Sequence, residues 1–369
     1  MITRRLALAC GLVLLPLVAR ADMWCAQLIA VHEWGVHVFG PDGAARPSDE
    51  VRADPARLPA WFVRPATHPS ATRPPVRTLP ADTGVRRLPV VTVWAPNAPA
   101  PGGIPLGLEV GFARGTASVW YPDVDRLLAT TEPRELVWDR LELTTAPRLP
   151  PLPTDVPWVA TSRGLEGALW VNGPRASERF VFYEADTHEP TPLALERAPG
   201  WTAARPVHRL TNRGRHPVHD VLVVRRTGDT RFVVHVPTLA PGEGHTFTLA
   251  DHRVVDDAAW RRATHERLTG ALTLAAPEPA APPSATCVIG RQPAVPFVRA
   301  DGHRLHRAEV DLLMAVWGER FFEGAGTRIL YREDVGYLDE AMPLSVYTDM
   351  FHTVALRRAG LALQEGVAL

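Results

Sequence analysis

The sequence predicts a mainly β protein: antiparallel sheets with an immunoglobulin-like β-sandwich portion, plus a smaller C-terminal α+β region. Three observations predict it. Short runs rich in Val, Leu, Phe and Trp recur along residues 88–249. Gly, Pro, Asn and Asp cut them apart every ~8–12 residues, which is the punctuation of consecutive antiparallel strands. The chain also holds 37 prolines in 369 residues, roughly twice the usual share. Proline fixes φ and removes a backbone donor, so long helices are disfavoured.

Val207–Leu249 is the clearest case, with four runs separated by turns. Val221 and Val223 alternate with Leu222 and Val224, predicting a strand buried on both faces. Phe232, Val234 and Val236 share one face of the next run, and His245, Phe247 and Leu249 share one face of the last. Earlier strands are expected at 27–39 (interrupted at Gly35), 89–94, 107–112, 116–121, 135–143, 168–171 and 178–183. Residues 41–86 have little periodicity and read as an irregular segment pinned by Trp61 and Phe62. Residues 149–157 are Pro-dense and read as an extended linker.

The pattern changes after residue 255. Asp256 is a good N-cap for a helix carrying Trp260, Thr264, Leu268, Ala271 and Leu272 on one face. A loop is expected at 276–285. Val310, Leu313, Met314, Trp317 and Phe321 then define a second helix, with Gly324 as its stop. Thr327–Tyr331 reads as a strand, 333–340 as a helical turn or two, and 354–363 as a terminal strand. The divisions expected are 1–21, 22–200, 201–255 and 256–369.

Arg4 and Arg5 precede an apolar run from Leu6 to Val18, and Ala19-Arg20-Ala21 follows as a small-x-small site. This is the pattern of a secretory signal peptide, so export to the periplasm or beyond is expected, with cleavage after Ala21. No later stretch is long and apolar enough to be read as a membrane span. Forty basic residues, all arginine, balance forty acidic ones. That balance gives no bulk attraction to nucleic acid or to an anionic membrane. Cys25 and Cys287 are the two cysteines beyond the leader. In an oxidising compartment they read either as one disulfide or as two separate buried thiols. Such a bridge would close a loop of about 260 residues, worth roughly 5 kcal/mol at most.

No nucleophile elbow, phosphate loop, dinucleotide fingerprint, C-x-x-C pair or calcium loop is present, and no cofactor is implied. His32 and His37 flank Glu33 and Trp34, but five residues apart in a strand they point to opposite faces. A structural role is the simpler reading, with Trp34 packed and Glu33 satisfying an arginine or a backbone donor. His208, His216 and His219 form the densest histidine cluster and are the weak alternative for a metal site. His303, His306 and Glu309 are three apart at the start of the second helix, where a solvated first turn is expected. Trp94, Trp120, Trp138 and Trp170 lie within strands and read as core. Trp120 and Tyr121 end a strand where they would line an exposed patch.

Several of these motifs in order give the chain a likeness. They are Glu33-Trp34-Gly35, the strand 89–94, Val119 to Pro122, Leu136 to Trp138 and Glu178 to Tyr183. Val316-Trp317, Arg320 to Glu323 and Gly326 to Tyr331 complete the set. In these it resembles a family of secreted proteins of unknown function found in myxobacteria and planctomycetes. The family tends to place a basic residue and Gly after the tyrosine corresponding to Tyr183, where this chain has Glu184-Ala185. The resemblance implies export and no known activity.

The sequence thus points to a non-catalytic envelope or extracellular protein that binds a partner protein or a cell-surface polymer. Candidate binding residues are Glu33, Trp34, Trp120, Tyr121 and Tyr183. The alternative is a secreted hydrolase whose site is assembled from distant His, Asp and Glu residues.

Overall fold

Gln27–Phe39 (β1) buries both of its faces, because nearly every residue in it is apolar or finds a polar partner. Leu28, Ala30, Trp34, Val36 and Val38 face one apolar core, while Ile29 and Val31 face a second and Phe39 a third. Three apolar cores thus meet at one strand. The computed structural model describes residues 27–41, 58–65, 84–95, 103–128, 133–187, 189–276, 297–298, 302–349 and 352–368. The leader, both cysteines Cys25 and Cys287, and the loop expected at 276–285, apart from residue 276, lie outside them.

The fold is mainly β, with 48% of the described residues in strands against 19% in helices. After β1 come β2 (Gly84–Trp94), β3 (Ile104–Gly111), β4 (Gly115–Tyr121), β5 (Arg126–Leu128) and β6 (Glu135–Thr144). A helix, α1 (Pro157–Arg163), precedes β7 (Trp170–Asn172), β8 (Ser177–Glu178), β9 (Val181–Thr187) and β10 (Leu193–Arg197). The clearest sequence stretch supplies β11 (Val207–Asn212), β12 (Val218–Thr227), β13 (Thr230–Leu239) and β14 (Gly244–Thr248), followed by β15 (Arg253–Val254). Then come α2 (Asp257–Arg261) and α3 (Arg267–Leu272), joined by one π-helical stretch, β16 (Phe297–Val298) and α4 (Arg307–Phe322). The last elements are β17 (Gly326–Glu333), α5 (Val335–Ala341), β18 (Leu344–Thr348) and β19 (His352–Glu365).

One ten-stranded sheet runs β15-β13-β12-β17-β19-β1-β2-β9-β4, with β16 pairing β19 at the side. Its β1–β19 pair is parallel, whereas β1–β2, β2–β9, β12–β13, β12–β17 and β17–β19 are antiparallel. One face packs on α1, α2, α3 and α4 through Trp158, Trp260, Leu268, Leu313, Trp317 and Phe321. The opposite face carries two smaller sheets side by side. A six-stranded sheet (β18-β3-β6-β7-β8, with β5 on β6) covers one end, and the three-stranded β10-β11-β14 sheet covers the other.

This arrangement corrects the expected domain boundaries. The large sheet takes β1, β2, β4 and β9 from 22–200, β12, β13 and β15 from 201–255, and β16, β17 and β19 from 256–369. The four runs of Val207–Leu249 also split: β12 and β13 join the large sheet, while β11 and β14 lie in the small sheet facing it. Val221 and Val223 pack between those two sheets and Leu222 and Val224 pack on the helices, so β12 is buried on both faces.

Between the two smaller sheets the large sheet is roofed by α5. Gly35 of β1 and Gly360 of β19 lie abreast there. A Cβ on Gly360 would come 2.5 Å from Glu333 Oε2 and 2.8 Å from Leu338 Cδ2. The absence of a side chain is therefore what lets α5 settle on the strand.

Candidate functional site

Two polar networks, one sealed and one largely buried, flank the β1–β19 pair, and an open cleft lies beside it. The register places His32 opposite Arg357 and Glu33 opposite Arg358. Alternation then sends the first pair to the helix face and the second to the sheet face.

On the sheet face, the Glu33 carboxylate accepts from Tyr183 Oη and from Arg358 Nε. Arg358 also donates to Asp339 Oδ1 (2.8 Å) and to the Met342 carbonyl (2.7 Å), which ties α5 and its C-terminal end to the sheet. Burial alone would lower the Arg358 pKa. The Glu33 charge and hydrogen bond outweigh it and hold the guanidinium above its ordinary value.

On the helix face, His32 Nδ1 lies 2.7 Å from Glu309 Oε2. Thr92 Oγ1 donates to Glu309 Oε1, and Trp94 Nε1 approaches the same oxygen at 3.2 Å. Oε2 further accepts the His306 backbone N–H at 2.9 Å, closing the first turn of α4. Burial pushes the Glu309 carboxyl up, but the His32 charge and these hydrogen bonds override it, and its pKa lies below the ordinary value. This corrects the expected solvated first turn: Glu309 is 0% exposed and anchors the helix to the sheet. His32 Nε2 has no hydrogen-bond partner among the described residues.

The cleft is built at the other end of α5. The β11–β12 turn forms one wall because buried Asn212 holds it, donating to the carbonyls of His216 and Leu239 (both 2.9 Å) and accepting from Gly214 N. Gly214 packs so closely that a Cβ there would stand 2.7 Å from Pro192. Pro190 and Pro192 stiffen the facing loop, and Asp334 caps α5 by accepting from Gly336 N at 2.8 Å. The space enclosed is about 400 Å³, within the range of small-molecule sites. Phe39, Pro217, Val218, Tyr331 and Tyr337 give it an apolar body, and Glu189, Glu333, Asp334 and Arg114 add polar groups. Tyr337 Oη donates to Glu189 Oε2 (2.5 Å), and Arg114 Nη1 sits 2.9 Å from Glu189 Oε1. His216 Nε2 pairs with Glu340 (2.9 Å) and His219 Nε2 with Asp334 (3.1 Å). Tyr337, Glu189 and Asp334 therefore already have hydrogen-bond partners before any ligand arrives.

Of the expected binding residues, Glu33 and Tyr183 meet in the buried part of the sheet-face network, and Trp34 packs on the opposite face at 0% exposure. Trp120 and Tyr121 are 0% and 4% exposed. They form no exposed patch: the Tyr121 ring lies under Trp61 and Phe62, with centroids 4.5 and 5.2 Å away. Burial, with the Glu178 charge adding to it, raises the Tyr121 pKa. Trp94, Trp138 and Trp170 are likewise buried. His208 on β11 is buried against Phe247 on β14, and burial lowers its pKa. His216 and His219 each serve their own carboxylate, and no group of three metal-ligating side chains converges among the described residues. His303 is half-buried, and desolvation, helped by the Arg332 charge, brings it down to about 4. Sequence reasoning missed Arg358, Glu189 and Tyr337, whose partners Glu33, Tyr337 and Glu189 lie far away along the chain, and with Arg358 its second acceptor Asp339.

No family model matches the chain, and no curated protein matches it. Among solved structures it is similar to the Fcho1 mu homology domain of Danio rerio with bound Eps15 peptide. That match has 7% identity and a TM-score of 0.34, covering 94% of this chain and all of that one. It is also similar to the yeast delta-COP-I mu-homology domain complexed with a Dsl1 WxWxV peptide. There the identity is 9% and the TM-score 0.31, over 92% of this chain and 95% of that one. No helix among the described residues is long and apolar enough to cross a membrane.

Proposed function

We propose that the protein is an exported, non-catalytic binding protein whose ligand enters the cleft between the β11–β12 turn and α5. The observation that carries this reading is the cleft itself. It combines an apolar body of suitable size with polar groups already paired in Tyr337–Glu189–Arg114 and His219–Asp334 contacts. Preorganisation of that kind lowers the ordering cost of binding. Export rests on the leader at residues 1–21.

A thermal-shift screen with aromatic amines, dipeptides and short fatty acids tests it. A ligand present at 100 times its Kd stabilises by about 2.7 kcal/mol. The wild type is expected to respond to at least one of these classes, and His216→Trp, which fills the cleft, is expected to lose that response. Equal responses from both chains, or none from the wild type, defeat the reading.

A further inference from the structure

The Pro-dense stretch 147–153 is an exposed, preformed ridge, and we infer that it docks into an aromatic-lined groove on a partner protein. The sequence dictates its backbone. Leu149, Pro150 and Leu152 each precede a proline, which excludes the helical region and favours polyproline II. Pro147, Pro150, Pro151 and Pro153 have φ fixed near the polyproline value. Residues 150–156 accordingly belong to no helix or strand.

Within the stretch free of helix and strand, the chain turns toward the protein at Pro151, Thr154 and Val156. Pro151 and Thr154 are half-buried, while Leu149, Pro150, Leu152, Pro153 and Asp155 are exposed. Leu149, Pro150, Leu152 and Pro153 are left at the surface. These leucines are 37% and 40% exposed, and they are two of the four exposed large apolar residues among those described.

The ridge is held by side chains that are otherwise buried. Asn172 Oδ1 accepts from Arg148 N (2.8 Å) and Ser177 Oγ accepts from Leu149 N (2.9 Å). Ser177 in turn donates to Asn172 (2.7 Å), and these two residues are 1% and 4% exposed. At the far end Trp61 Nε1 donates to the Pro153 carbonyl at 3.1 Å. A ridge so fixed has little conformational entropy left to lose on docking, and aromatic-lined grooves recognise this combination of rigid prolines and spaced apolar side chains. None of its residues lines the cleft, so the inference does not rest on the small-ligand reading.

The test uses the mature full chain and two probes, an isolated WW domain and an isolated SH3 domain, each labelled for fluorescence anisotropy. Saturable binding to at least one of them is expected. Leu149→Ser/Leu152→Ser is expected to weaken it at least about tenfold. Both positions are at the surface, so an unchanged melting temperature shows that the fold is intact. If neither domain binds, or if the double variant binds as well as the wild type, the inference is overturned.

Discussion

Arg358→Met is expected to destabilise the protein by about 3–5 kcal/mol, because it strands the Glu33 carboxylate, 4% exposed, without its cation. The loss has three parts. Glu33 keeps only Tyr183 as a partner, the Met342 carbonyl loses a 2.7 Å donor, and Asp339 loses its tie to the sheet. Replacing both charges, as Glu33→Met/Arg358→Met, is expected to recover much of the deficit, since two apolar side chains need no pairing. Urea midpoints of the three chains measure this. A single variant as stable as the wild type would show that the pair contributes nothing.

Glu309→Gln is expected to cost about 2–4 kcal/mol at neutral pH, since the neutral amide accepts through one atom only and loses the attraction of His32. It also predicts a pH dependence. The folded Glu309 pKa lies below its unfolded value, so the native state holds fewer protons than the unfolded one in acid. Its contribution is complete above the unfolded carboxylate value of about 4.3 and is lost as pH falls through the folded one. Denaturation followed from pH 6 to pH 2.5 is therefore expected to show a steeper loss for the wild type than for Glu309→Gln. Parallel curves would mean that this carboxylate does not titrate with folding.

Local features were legible in the sequence. β-Branched runs marked β12 and β13, the Asp256 side chain does cap α2 by accepting from Ala259 N at 2.7 Å, and Val310 to Phe321 does form the buried stripe of α4. The tryptophans in strands are core, and Glu33 does satisfy an arginine. What could not be read was pairing at a distance. Glu309 looked like a solvated first-turn acid because acids favour helix N-termini anyway, and its partners His32 and Thr92 lie 277 and 217 residues away. Helix α1 was hidden by the prolines before it, although Pro157 occupies the first turn, where a missing N–H costs nothing. The division of β11–β14 between two sheets was equally invisible, since period-2 alternation says which residues share a face but not what covers it. The candidate cleft combines a turn between two sheets, a proline loop and a helix start, none of which signals a site alone.

The parallel neighbours β1 and β19 are joined by contacts spanning 325 residues. Parallel strands with so long a connection form late, because the loop-closure entropy must be met before any contact repays it. During synthesis β1 accordingly waits with one hydrogen-bonding edge open until β19 has been made, and an open apolar edge invites pairing with other chains. A chaperone or holdase that shields nascent β1 and β2 would protect the protein at the stage when it is most prone to aggregate.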